Sequence, residues 1–126
     1  MAGERVLIIE DNEKNMKLVR DILQAMGYSP LEAFTGEQGL ALAAENDPAL
    51  VLMDIQLPDL DGAEALRRLR SDERTAGIPV LALTAQAMQG DRERFLAAGF
   101  DGYLSKPVDV DELIETVRRY CDGGTE

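Results

Sequence analysis

Leu50-Val51-Leu52-Met53-Asp54-Ile55-Gln56-Leu57-Pro58-Asp59-Leu60-Asp61-Gly62 is the stretch on which the fold turns. Its opening residues, Leu50 to Met53, are continuously apolar and too few for a helix, and Asn46-Asp47-Pro48 interrupts the chain just before them. Such a run reads as a strand buried on both faces, as in parallel sheets covered by helices on each side. It ends on Asp54, a residue a buried strand has no use for. The loop from Leu57 to Gly62 then turns into a helix whose inner positions are Ala65, Leu66 and Leu69.

The same design recurs outward from this centre. Val6-Leu7-Ile8-Ile9 runs into Glu10-Asp11, Val80-Leu81-Ala82-Leu83 into Thr84, and Gly102-Tyr103-Leu104-Ser105 into Lys106-Pro107. Tyr28 to Ala33 makes a further strand, confined to an edge by Pro30. Helical patterns separate them. Met16, Val19, Ile22, Leu23 and Met26 form one face, stopped by Gly27, and Gly36 to Asn46 is Ala-rich. Ala87 to Ala98 forms a weak helix with little beyond Met88 to bury in its first half and with Gly90 inside it. Asp109-Val110-Asp111-Glu112 starts the last helix, with Val110, Leu113, Ile114, Val117 and Cys121 as its apolar face.

Five strand–helix units in about 120 residues imply an α/β fold, a doubly wound five-stranded parallel sheet with five helices. The order 2-1-3-4-5 suits the residues, because the runs at 6, 50 and 80 are apolar enough for the centre. The Pro-bearing and Gly-Tyr runs suit the edges. Ligands bind at the carboxyl ends of the strands in such sheets, which is where three carboxylates, a hydroxyl and an ammonium would converge.

A chain of 126 residues with a formal net charge of -11 and 45% hydrophobic residues fits one globular domain. That charge excludes nucleic acid and anionic membranes as partners, barring a local basic patch. The one candidate patch, Arg67-Arg68-Leu69-Arg70, reads as a solvated helix face. Cys121 is the only cysteine, so no internal disulfide forms, and a buried apolar role is expected for it. No stretch approaches the roughly 18 apolar residues of a membrane span, and no signal pattern opens the chain, so a cytoplasmic location is expected.

Glu10, Asp11 and Asp54 would lie on neighbouring strand ends. Two carboxylates about 4 Å apart repel by about 4 kcal/mol at an effective dielectric near 20, a cost relieved by a hard cation between them. Oxygen-only donors without histidine suit Mg²⁺ better than zinc. A carboxylate beside a metal can attack phosphorus and form an aspartyl-phosphate, with Lys106 spreading the charge and Thr84 hydrogen-bonding a phosphoryl oxygen.

At Val6–Asn12, Met53–Gly62, Ala82–Ala85 and Lys106-Pro107 the chain resembles the receiver domain of bacterial two-component response regulators, the CheY-like family. The resemblance covers essentially the whole chain, 1–126, as a single receiver domain with no output domain and a flavodoxin-like fold. It implies that Asp54 accepts a phosphoryl group from a histidine kinase or histidine phosphotransfer protein. It implies Mg²⁺ bound by Asp11 and Asp54, by Glu10 through water and by the main-chain carbonyl of Gln56. Lys106 would contact the phosphoryl group across a cis peptide to Pro107. Thr84 and Tyr103 would be the switch pair that reshapes the helix 4, strand 5, helix 5 face for a protein partner, and Gln56 and Gln86 would tune the lifetime of the phosphorylated state. The family implies a monomer or weak dimer and no enzyme activity beyond self-phosphorylation and slow self-dephosphorylation. Glu10-Asp11-Asn12-Glu13-Lys14-Asn15-Met16-Lys17-Leu18 and Ala87-Met88-Gln89-Gly90-Asp91 resemble, more narrowly, single-domain regulators of the cell cycle; similar wording also occurs in receivers attached to hybrid kinases.

Simpler roles compete at each position. Asp11 and Asn12 could cap the first helix and Thr84 open the fourth, Lys106-Pro107 could be a turn, and Tyr103 a half-buried edge residue. Only their combination points to phosphoryl chemistry. A haloacid dehalogenase-type phosphatase would carry a second aspartate where Gln56 stands, and Gln56 cannot act as an acid. A flavodoxin-like cofactor binder would not place Glu10-Asp11 at its phosphate loop, and no P-loop is present. A phosphate sink, or an interaction module that never turns over phosphate, completes the alternatives.

Overall fold

The computed structural model describes residues 3–85 and 91–121. Five parallel strands, β1 (Arg5–Ile9), β2 (Ser29–Ala33), β3 (Leu50–Asp54), β4 (Val80–Thr84) and β5 (Gly102–Ser105), form one sheet in the order β2-β1-β3-β4-β5. The connecting helices are α1 (Glu13–Ala25), α2 (Gly36–Asn46), α3 (Gly62–Ser71), α4 (Asp91–Ala98) and α5 (Val110–Cys121). The sheet order is the one expected from the sequence, and Pro30 does sit on an edge strand, paired with Val6.

The central strands are buried along their whole length past Arg5, and their alternation divides the interior in two. Val6, Ile8, Leu50, Leu52, Leu81 and Leu83 face α1 and α5, where they meet Leu23, Leu113 and Val117. Leu7, Ile9, Val51, Met53, Val80 and Ala82 face the other layer, against Ala43, Leu66, Leu69 and Phe95. Both layers hold β1, β3 and β4 rigidly, so the polar residues at their ends are fixed relative to one another.

Local signals set the helix ends. The Asn12 side chain accepts from Lys14 N and Asn15 N and caps α1, and Gly27, at φ 93, ends the turn that follows. Asp47, at φ 48, closes α2. Gly99, at φ 112, follows α4, with Phe100 N donating back to Phe95 O.

Three expectations need correction. Tyr28 is a buried residue preceding β2 rather than part of it. Val110 is 45% exposed, because it opens α5 before the helix settles onto the sheet, so the apolar face begins at Leu113. The Arg67–Arg70 run is not simply a solvated face: Leu69 is buried, and Arg70 is part-buried and donates to Ala76 O, Ile78 O, Gly99 O and Asp101 Oδ2. Arg67 and Arg68 pair with Glu64, and Arg68 also with Glu37. The start expected for the fourth helix, from Ala87 through Met88 to Gly90, lies outside the described residues. Cys121 is buried in the α5 layer, as expected. Among the described residues no helix is long and apolar enough to cross a membrane.

Candidate phosphoryl and metal site

Register builds the site. Ile9 lies opposite Met53, so Glu10 and Asp54 follow at the same level on adjacent strands, and Asp54 in turn pairs with Leu83, one residue before Thr84. One carboxylate oxygen from each of Glu10, Asp11 and Asp54 lies within 4.8 Å of the others. Glu10 is fully buried and Asp54 6% exposed, while Asp11 faces solvent. The cluster is therefore dry on the sheet side and open on one flank.

Lys106 closes the dry side. Its Nζ lies 2.8 Å from Asp54 Oδ2 and 2.7 Å from Glu10 Oε1. The contact with Asp54 is an aligned hydrogen bond. That with Glu10 is an ion pair off ideal hydrogen-bond alignment, so Oε1 is held mainly by the charge of the ammonium. Glu10 Oε2 accepts from Asn12 N, and Asp54 Oδ1 from Gln56 N at 2.8 Å. Both Asp54 oxygens are thus held, one by an ammonium and one by a peptide N–H.

Desolvation pushes the Glu10 carboxyl up from its ordinary range; the Lys106 ammonium and Asn12 N–H oppose this, and neighbouring Asp54 adds to it. Burial alone would push the Lys106 ammonium down, but its hydrogen bonds and charge contact with Asp54 and Glu10 outweigh that and hold it above the usual lysine range. One ammonium paired with Glu10 and Asp54, with Asp11 beside them, leaves an acidic pocket. The three hard oxygen donors within reach of one another and the open Asp11 flank fit a small, partly hydrated divalent cation.

The remaining expected residues lie at different distances from this cluster. Thr84 is 1% exposed at the end of β4, and its carbonyl accepts from Lys106 N at 2.7 Å. The Lys106–Pro107 peptide is cis. Tyr103 pairs in register with Ala82, two residues before Thr84, and its ring packs at 5.7 Å on Phe95, so it is not part of the carboxylate cluster. Gln56 contributes its main chain, while its side chain is exposed. Gln86 lies outside the described residues. Sequence reading missed Asp59, whose carboxylate accepts from Gly36 N and Glu37 N at the start of α2. Nothing local marks it, because its partners are 22 and 23 residues away.

With this geometry in place, comparison with known proteins is specific. The model of the response regulator receiver domain matches residues 6–118. The chain is 49% identical over 115 residues to the polar-differentiation response regulator DivK of Brucella ovis, covering 91% of this chain and 94% of that protein. It superposes with a TM-score of 0.86 and 38% identity on the receiver domain of a Pseudomonas aeruginosa sensor histidine kinase, which has a magnesium ion coordinated in its active site cleft; 95% and 98% of the two chains are covered. A TM-score of 0.85 and 29% identity relate it to the receiver domain of Ssk1 from Saccharomyces cerevisiae, in complex with the histidine phosphotransfer protein Ypd1, over 95% and 90% of the chains.

Proposed function

Because this chain belongs to the response regulator receiver family, we propose that it is the phosphoacceptor of a two-component relay, receiving a phosphoryl group on Asp54 from a histidine kinase or histidine phosphotransfer protein. One observation carries this reading. The two oxygens of a nearly buried aspartate are oriented by Gln56 N and Lys106 Nζ beside two further carboxylates. A structural aspartate has no need of that company.

An Asp54 oxygen attacks phosphorus, the P–N bond to the donor imidazole breaks, and the ring nitrogen leaves with the bonding electrons. Gln56 N–H and the Lys106 ammonium keep the carboxylate aimed outward. Once one oxygen carries the phosphoryl group as a mixed anhydride, the Lys106 ammonium can turn to one phosphoryl oxygen, and the Thr84 hydroxyl can hydrogen-bond another. Mg²⁺, held by Asp11, Asp54, Gln56 O and, through water, Glu10, would neutralise charge that builds on the phosphoryl group. The magnesium ion coordinated in the active site cleft of the Pseudomonas relative supports the choice of metal.

The signal leaves through the face formed by α4, β5 and α5. A cleft of about 330 Å³ lies there, lined by Leu96, Tyr103, Ser105, Glu112, Arg119 and Tyr120 among others. Movement of Thr84 toward the phosphoryl group, and of Tyr103 into the vacated space, would alter this cleft and the protein partner it accepts. The likeness to the polar-differentiation regulator DivK supports a polarity or cell-cycle role; a cytoplasmic monomer or weak dimer is part of the same proposal.

Intact mass after incubation with Mg²⁺ and acetyl phosphate tests the reading. A single phosphoryl adduct is expected, dependent on Mg²⁺ and absent in Asp54→Asn. An adduct that persists in the variant would place the chemistry elsewhere.

A further inference from the structure

The loop from Ile55 to Asp61 carries Gln56, and it is fastened at three places. At its start Gln56 N donates to Asp54, and at its end Gly62 N donates to Ile55 O at 3.0 Å, alongside a bridge between Gln56 and Asp61. The third fastening is remote. Asp59 Oδ1 accepts from Gly36 N at 2.7 Å and Oδ2 from Glu37 N at 2.9 Å, the first two peptide N–H groups of α2.

Those donors are among the four that every helix leaves unsatisfied at its start. The helix's own cap, Thr35, serves only the next one along, accepting from Gln38 N at 3.1 Å. A carboxylate from another loop therefore completes the end of α2, and α2 in return holds the middle of the loop. Leu60 seals the joint: a Cβ at Gly36 would come within 2.9 Å of Leu60 Cδ1. Arg68 in α3 reaches Glu37 at 2.8 Å on the far side. The middle of the loop is thus tied to α2, although Gln56, Pro58, Asp59 and Asp61 are themselves exposed.

We propose that Asp59 is a positioning residue for the divalent cation: by clamping the middle of the loop to α2 it fixes the backbone of Gln56 beside Asp54. This rests on the Mg²⁺ site proposed above. Two bonds aimed at two successive N–H groups define position and direction together, which one bond to a mobile loop would not. Outer partners that orient metal ligands change affinity by about 10–100-fold when removed. A solvent-exposed clamp belongs at the lower end of that range.

Calorimetric titration of Mg²⁺ into the metal-free protein, with thermal unfolding of the same samples, provides the test. Asp59→Ala should weaken Mg²⁺ binding about 10-fold, and Asp59→Asn, which keeps one acceptor, by about 3-fold. Gly36→Ala, which pushes Leu60 away while leaving Asp59 in place, should also weaken binding. Thr35→Ala removes the other cap of α2 without touching the loop, so it should lower Tm and leave the Mg²⁺ affinity unchanged.

Equal affinity in wild type and both Asp59 variants would overturn the inference while leaving the site reading intact. A loss in Thr35→Ala as large as in Asp59→Ala would also overturn it, since the effect would then follow helix stability and not loop position. A wild-type protein that takes up no Mg²⁺ would remove the metal site itself, and this inference with it.

Discussion

Replacing Lys106 by Met keeps the aliphatic stem and removes the only ammonium described beside Glu10 and Asp54. Asp54 retains its bond from Gln56 N and a little solvent, whereas Glu10 is fully buried and keeps only the Asn12 N–H. Leaving a buried charge unpaired costs about 3–5 kcal/mol. Glu10 can escape that cost by taking up a proton. Its ordinary pKa is 4.5, and holding such a carboxyl neutral at pH 7 costs about 3.4 kcal/mol.

Protonation therefore caps the loss, and wild-type Glu10 already carries part of it, since desolvation raises its pKa. The expected destabilisation is about 2–3 kcal/mol near pH 7 and below about 1 kcal/mol near pH 5. The sign follows from linkage: a carboxyl whose folded pKa is raised contributes fully below its unfolded pKa and loses stability as pH rises toward the folded one. Urea unfolding of the metal-free protein, followed by far-UV circular dichroism between about pH 5 and 7.5, measures this directly. A penalty that stays constant over that range, or shrinks toward neutral pH, would refute the picture of a buried carboxylate compensated by one ammonium.

Two other perturbations test the scaffold. Arg70→Ala deletes donors to Ala76 O, Ile78 O, Gly99 O and Asp101, which tie α3 to the starts of β4 and β5; after discounting for solvent, a loss of about 1–2 kcal/mol is expected in urea unfolding. Gly39→Ala lies inside α2, where alanine normally gains about 1 kcal/mol, yet a Cβ there would collide with the Ile9 side chain in the packed core. Overpacking of about 1–3 kcal/mol should reverse the sign, so Tm falls, while Gly77→Ala, with open space around its Cβ, stays near neutral.

Much of the fold was legible because the determinants are local. Apolar runs too short for helices, Pro30 on one of them, and Asn12, Gly27 and Gly99 at helix ends each act within a few residues. Val110 misled because helical spacing puts it on the apolar face, but spacing says nothing of where a helix first touches the sheet. Arg70 misled in the opposite way: its neighbours Arg67 and Arg68 face solvent, and only the fold brings it the carbonyls of Ala76, Ile78 and Gly99 and the carboxylate of Asp101, 31 residues on.

The sequence by itself determined the chemistry available at the site. Each polar residue follows directly on an apolar strand, and in parallel strands such residues must share one edge. Only the tertiary structure decided how that chemistry is apportioned. Pairing of β1 with β3 sets Glu10 beside Asp54, burial by both helical layers makes Glu10 dry while Asp11 stays wet, and Lys106 arrives from two strands away to bridge the pair. The Asp59 clamp on α2 belongs to the same category. Its bonds join groups far apart in the chain, and no pattern of neighbouring residues encodes which distant N–H groups a folded backbone will leave unsatisfied.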